Sequence, residues 1–111
     1  MNVFISLPMH GHSEEDIQNT LNSAKIALRE DFMGSDVTFL DCTDKIDSRG
    51  KNEGLEGLGE AIKRMADADA VAFVPGWPLS EGCQVEHDIA IRWDIQRIYM
   101  SESDMHTEAF D

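Results

Sequence analysis

Residues 70–74 read AVAFV, five apolar residues in succession, and they are followed by the turn-forming pair Pro75-Gly76. An apolar run without polar alternation is typical of a strand that is covered on both faces, as in a parallel sheet. Three other short segments, rich in β-branched and aromatic residues, also predict strands: residues 2–7 (NVFISL), 36–40 (DVTFL) and 96–100 (QRIYM).

Segments with helical spacing separate the predicted strands. Ser13 is followed by three acidic residues, a pattern typical of an N-cap and of a first turn that complements the helix dipole. The apolar stripes of three helices are Ile17, Leu21, Ala24 and Leu28; then Leu55, Leu58, Ile62 and Met65; then Val85, Ile89 and Trp93 in a helix that begins near Gly82. Val85 is expected to be buried.

This alternation of strands and helices predicts a single α/β domain over residues 1–111, with residues 101–111 as a frayed tail. We expect a three-layer, flavodoxin- or Rossmann-like parallel sheet with strand order 2-1-3-4. In such a sheet a ligand binds past the carboxyl ends of the strands where the winding reverses, here between the first and third strands. The site is therefore expected between residues 7–12 and 75–86. Residues 41–54 form the longest segment without periodicity, which is typical of a binding loop.

The charge balance excludes several classes of partner. Asp and Glu number 22 against 9 Lys and Arg, a formal net charge of −13. Nucleic acids and anionic membrane surfaces are bound through clustered Lys and Arg, so neither is expected as a partner. No apolar run approaches the ~20 residues of a spanning helix, and the first residues carry no secretory pattern. With two cysteines, Cys42 and Cys83, a cytoplasmic protein is expected.

Nucleotide cofactor motifs are not matched. Residues 54–59 carry G-x-x-G-x-G, which has the wrong order for a dinucleotide fingerprint, and Gly50-Lys51 lacks the earlier glycine of a phosphate-binding loop. No cofactor is predicted.

A zinc site is the least favoured alternative. Cys83 and His87 stand four residues apart on the predicted third helix and share a face. Together with His10 or His12 they would supply thiolate and imidazole ligands, which zinc accepts.

Glu86 is the carboxylate that the predicted topology brings to the crevice. It falls early in the third helix, where the partial positive charge of the helix N-terminus favours the ionised form. An ionised, positioned carboxylate is what covalent attack on an anomeric carbon requires. The same helix start, with Ser80 and Gly82, is suited to an anion such as a phosphate. By position alone, however, the simpler explanation is favoured: an acid that stabilises its own helix.

Two segments resemble a family of small, uncharacterised bacterial and phage proteins. The first is residues 5–11 (ISLPMHG); the second is residues 68–73 (ADAVAF), Gly76-Trp77 and residues 82–87 (GCQVEH). That family is similar to the nucleoside 2-deoxyribosyltransferases and to the deoxynucleoside 5′-monophosphate N-glycosidases. The resemblance implies a nucleoside 2-deoxyribosyltransferase-like fold.

The resemblance also implies a reaction. Glu86 would be the catalytic nucleophile, attacking C1′ of a 2-deoxyribosyl donor, and another base or water would then release the sugar, as in retaining glycoside hydrolysis. Ser80, six residues earlier, would contact a phosphate. The expected substrate-binding residues are Ser6, Pro8, Met9, His10, Gly11, Gly76, Trp77, Ser80 and Gly82. Trp77 either stacks on a base or plugs the end of the core.

The chain departs from these enzymes in its first-strand loop, where they usually have Gly-Ser and residues 6–9 here read SLPM, and at two single positions. Their first strand has a Tyr near the nucleophile, for which we expect Val3 here, and their middle helix has an Asp, for which we expect Ala61 beside Glu60. The acid that protonates the leaving base is therefore unassigned. The leading hypothesis is an enzyme acting at the N-glycosidic bond of a nucleoside or nucleotide, as a homodimer or larger homo-oligomer. The alternative is a non-catalytic nucleotide- or metabolite-binding module of the same fold.

Overall fold

The computed structural model describes residues 1–9, 11–32, 36–40 and 53–103, and of Glu53 only the backbone. In chain order the elements are β1 (Asn2–Ser6), α1 (Glu14–Asp31), β2 (Thr38–Leu40), α2 (Glu53–Met65), β3 (Ala70–Phe73), α3 (Glu81–Arg92) and β4 (Gln96–Tyr99). A single 3₁₀ turn, Trp77–Leu79, lies between β3 and α3. The predicted alternation of strands and helices is confirmed.

The strands of the described residues form one parallel sheet in the order β2-β1-β3-β4. This is the predicted strand order, and it gives an α/β fold. Phe4 of β1 pairs with Leu40 on one side and with Val71 on the other, so β1 is a central strand. The winding reverses between β1 and β3, as expected.

Strand alternation divides the buried apolar residues between the two faces of the sheet. On the face covered by α1 they are Val3, Ile5, Leu7, Leu21, Ala24, Ala27, Leu28, Ala70, Ala72, Val74 and Met100. On the face covered by α2 and α3 they are Phe4, Ala61, Met65, Val71, Phe73 and Ala90. The predicted three layers are therefore a helix, the sheet and a pair of helices.

Helix α1 follows its sequence pattern closely. The Ser13 side chain accepts a hydrogen bond from the Asp16 N–H at 3.1 Å, which caps the helix, and the first turn is acidic. The predicted stripe is buried at Leu21, Ala24 and Leu28.

Helix α3 buries its predicted stripe only in part: Ile89 is partly buried against the core of the α2–α3 face, but the other two members are not. Val85 is 40% exposed and Trp93 is 70% exposed, so the expectation of a buried Val85 is wrong. The buried residues are Cys83, Glu86 and Ala90. Cys83 and Ala90 are small, and small residues allow a helix to lie close to a sheet.

Part of the predicted organisation lies outside the described residues. Of the expected loop 41–54, only Glu53 and Gly54 are described, and they begin α2. Of the expected tail, residues 104–111 are outside as well. Within the described part of the chain, no helix combines the length and the apolar character needed to cross a membrane.

Candidate active site

The carboxyl ends of β1 and β3 lie side by side, with Ser6 in register with Phe73. Beyond the strands, the two loops that were predicted to form the site meet each other. Gly76 has φ +93°, a conformation that favours glycine, and a Cβ added there would lie 3.9 Å from Cγ of Pro8. Pro8 and Gly76 therefore lie next to each other beyond the carboxyl ends of β1 and β3.

A hydrogen bond joins Ser6 to Glu86 at this edge. Ser6 lies two residues beyond Phe4, so strand alternation directs both side chains toward α2 and α3. The Ser6 hydroxyl donates to Oε1 of Glu86 at 2.5 Å, across 80 residues of sequence. Ser6 is 1% exposed and Glu86 is 8% exposed, and they are the two buried polar residues in the described part of the chain. Sequence reasoning selected both residues but missed their contact.

Burial controls the charge state of Glu86. It raises the pKa of the carboxyl to about 7, because the anion loses hydration, while the hydrogen bond from Ser6 acts in the opposite direction. Burial, and not the helix N-terminus, is therefore the main influence on the charge state of Glu86. Glu86 is the sixth residue of α3, and the helix dipole acts within the first turn. Near pH 7 both the acid and the carboxylate are populated.

Cys83 completes the buried polar cluster. It lies one helical turn before Glu86 and is 2% exposed. Burial raises the pKa of its thiol, hydrogen bonds from Ser6 and Ser80 lower it, and the neighbouring charge of Glu86 raises it. The cluster Ser6–Cys83–Glu86 therefore holds one group that titrates near neutrality beside a thiol that stays protonated there.

A small open groove of about 80 Å³ lies on the α1 side of the sheet, near the carboxyl ends of β1 and β3. Its lining residues are Pro8, His12, Asp16, Ile17, Thr20, Val74 and Pro75. Glu86 is not among them, because its carboxyl lies on the α3 side of the sheet. The groove and the Glu86 carboxyl therefore lie on opposite faces of the sheet, both near the carboxyl ends of β1 and β3.

Trp77 belongs to an aromatic cluster with Phe73, His87 and Tyr99. The Trp77 and His87 ring centroids are 4.4 Å apart, and those of Phe73 and Tyr99 are 5.7 Å apart with nearly parallel planes. A ring nitrogen of His87 lies 2.6 Å from the Tyr99 hydroxyl. Trp77 is partly buried against the core of the α2–α3 face, so the packing role considered for it is present, and stacking on a base stays a prediction.

Ser80 and Gly82 lie at the start of α3, as predicted. Ser80 is the N-cap residue, and its hydroxyl accepts a hydrogen bond from the Cys83 N–H at 3.3 Å. A hydroxyl that accepts a capping hydrogen bond still has its own proton to donate. The contact of Ser80 with a phosphate therefore stays a prediction.

The first loop is described in part. Met9 is 37% exposed and its carbonyl accepts a hydrogen bond from the His12 N–H at 3.1 Å. Gly11, with φ +84°, makes this turn possible, and His10 lies outside the described residues.

The two expected departures from the enzymes have different outcomes. Val3 is fully buried on the α1 face, so a side chain at position 3 points away from Glu86; the expectation that this position lies near the nucleophile is wrong. Strand alternation places positions 4 and 6 on the side of Glu86 instead. Ala61 is buried in the same apolar cluster as Phe4, on the side of the sheet that carries Glu86. Glu60 lies 3.9 Å from Lys63 in an exposed ion pair.

The described residues contain no group of three or more His, Cys, Asp and Glu side chains able to hold a metal ion. They therefore do not support the zinc alternative. Cys83 faces the buried cluster, whereas His87 faces Tyr99. His10, one of the proposed ligands, falls in a gap of the described ranges.

Comparison with known proteins adds no assignment: neither a family model, nor a curated protein, nor a solved structure matches this chain.

Proposed function

We propose that this protein processes a nucleoside, a nucleotide or a related base–sugar compound at its N-glycosidic bond, with Glu86 as the nucleophile. The observation that carries the proposal is the position of Glu86: a nearly buried carboxyl, held by Ser6, at the carboxyl edge where the winding of a parallel sheet reverses. Ligands of such sheets bind at this edge. The resemblance to nucleoside 2-deoxyribosyltransferases supports the same residue.

The proposed reaction has two displacements. A carboxylate oxygen of Glu86 forms a bond to C1′ as the C1′–N bond breaks, and the base leaves with the bonding electron pair and takes up a proton. Water or a second base then attacks C1′, and Glu86 departs as a carboxylate. Only ionised Glu86 attacks, so base release is expected to rise with pH through a midpoint near 7.

Base release from deoxynucleosides and their 5′-monophosphates, followed by chromatography, tests the proposal. Glu86→Gln removes the nucleophile and keeps the side-chain shape, so we expect activity to fall about a thousandfold or more. Glu81→Gln, at an exposed carboxyl on the same helix, is the matched control and should retain activity. Turnover that survives in Glu86→Gln would contradict the assignment.

A non-catalytic nucleotide- or metabolite-binding module is the second candidate. It is favoured by the low exposure of Glu86, 8%, together with the hydrogen bond that occupies one of its oxygens. A thermal-shift panel with nucleosides and monophosphates separates the two, because a ligand that binds only the folded state raises its stability whether or not it reacts. A shift without base release from any ligand supports the module. Self-association stays a prediction, and the solution mass from light scattering checks it.

A further inference from the structure

We propose that Ser6 is the positioning residue of Glu86: its hydroxyl holds Oε1 and thereby leaves Oε2 as the oxygen that attacks. The inference rests on the proposed function for the identity of the attacking atom. The restraint on the carboxyl is a separate claim, which is measurable in a protein without turnover.

Ser6 is fixed more firmly than the side chain it holds. It is the last residue of β1, in register with Phe73, and its carbonyl accepts a hydrogen bond from the Val74 N–H at 3.2 Å. The central strand therefore anchors the donor, while the Glu86 side chain has several rotatable bonds. A hydroxyl 2.5 Å from Oε1 selects one conformation of that side chain.

The hydroxyl proton has two neighbouring acceptors, the Glu86 carboxylate and the Cys83 sulfur. Burial raises the pKa of the Cys83 thiol, so the sulfur stays protonated and uncharged near neutral pH. The carboxylate is then the stronger acceptor, and the Ser6 proton goes to Glu86. The hydrogen bond opposes the effect of burial on Glu86, so Ser6 orients the carboxylate and also favours its charged form.

The test compares three variants by carbon-detected titration of the Glu86 carboxyl in the full-length protein. Ser6→Ala removes the donor, so we expect the Glu86 pKa to rise by about one pH unit or more. Ser6→Thr keeps a hydroxyl and should titrate close to the original protein. Cys83→Ala is the matched control, because it also shortens a buried side chain of the cluster but leaves the Ser6–Glu86 bond in place; its Glu86 titration should stay unchanged.

The pH profile of base release supplies the second readout. In Ser6→Ala the ascending limb should move to higher pH with the carboxyl titration, and kcat should stay reduced at alkaline pH, where Glu86 is ionised but no longer oriented. A residue that merely fills space would leave the midpoint of the profile unmoved.

Each outcome decides one of the two claims. An unchanged Glu86 titration in folded Ser6→Ala overturns the positioning role. Should Ser6→Ala not fold, Ser6→Cys retains the volume with a weaker donor, and the same shift in direction supports the role while its absence overturns it. A shifted titration without base release in the original protein overturns the proposed function, and with it the attacking role of Oε2, but supports Ser6 as the residue that holds the carboxylate.

Discussion

The α1 face of the sheet buries Val3, Leu21 and Leu28 in a cluster of apolar residues alone, whereas the α2–α3 face buries Phe4 next to the polar pair Ser6 and Glu86. Both faces belong to the same strands and differ only by the alternation of side chains. A nearly buried carboxyl opposes folding at neutral pH, and a purely structural position is better served by an apolar residue of similar size. One face is therefore purely apolar, and the other carries the nearly buried carboxyl on which the proposed function rests.

The largest expected effect lies on the α1 face. Leu28 is fully buried, so Leu28→Ala should lower the free energy of unfolding by about 2–5 kcal/mol through lost apolar burial and the cavity left behind. Denaturant unfolding at pH 5 and pH 8 should give the same loss, because no titrating group is involved. Ile26→Ala, at a half-exposed position of the same helix, is the control and should cost far less. If the loss in free energy of unfolding differed between the two pH values, the α1 face would also contain a titrating group, and the two faces would not differ in this respect.

The next effect lies on the α2–α3 face and depends on pH. The pKa of Glu86 is raised to about 7 in the folded protein, so folding takes up a proton between the ordinary carboxyl pKa and 7, and stability falls as the pH rises through that interval. Glu86→Gln removes this term, and its stability relative to the original protein should improve by up to about 3 kcal/mol between pH 4 and pH 8.

Denaturant unfolding across that pH range measures the difference between the two proteins. Glu81→Gln changes an exposed carboxyl of the same helix and should show no such trend. If the difference in free energy of unfolding between Glu86→Gln and the original protein did not change with pH, the carboxyl would be hydrated in solution. The α2–α3 face would then not contain a buried titrating group.

The smallest effect compares the two capped helices. Ser13 caps α1 and Ser80 caps α3, each through a hydroxyl that accepts a backbone hydrogen bond, so Ser13→Ala and Ser80→Ala should each cost about 1 kcal/mol. Only Ser80→Ala should also weaken the binding of a nucleoside monophosphate relative to the nucleoside, as a thermal-shift comparison would show. An equal loss for both ligands would leave Ser80 as a structural cap.

Much of the fold could be predicted from local patterns. The run AVAFV at residues 70–74 indicated a strand covered on both faces, and Ser13 with its acidic turn marked the start of α1; both are present in the structure. The strand and helix patterns succeed because they depend on neighbours in sequence. The strand order was predicted differently, by analogy with flavodoxin-like sheets, and it is also present.

The site depends on pairings across the sheet, and there prediction succeeded only in part. Hydrophobic spacing favoured Val85, Ile89 and Trp93 as the buried stripe of α3, of which Ile89 alone packs against the core. The buried residues of the helix are Cys83, Glu86 and Ala90. The spacing of these three, i, i+3 and i+7, indicates that they share one face of the helix. Combined with the alternation of β1, it would have placed Ser6 opposite Glu86. The pKa of Glu86 depends on burial, which spacing alone does not supply.

The two indole rings give the molecule a built-in optical reporter. Trp77 is packed against His87 at the edge of the site, whereas Trp93 is 70% exposed at the far end of α3. Their fluorescence spectra therefore report separate environments, a partly buried ring packed on His87 and a largely exposed ring at the end of the helix. Replacing Trp93 by Phe isolates the emission of Trp77, so that ligand occupancy near the carboxyl is followed in the unlabelled protein.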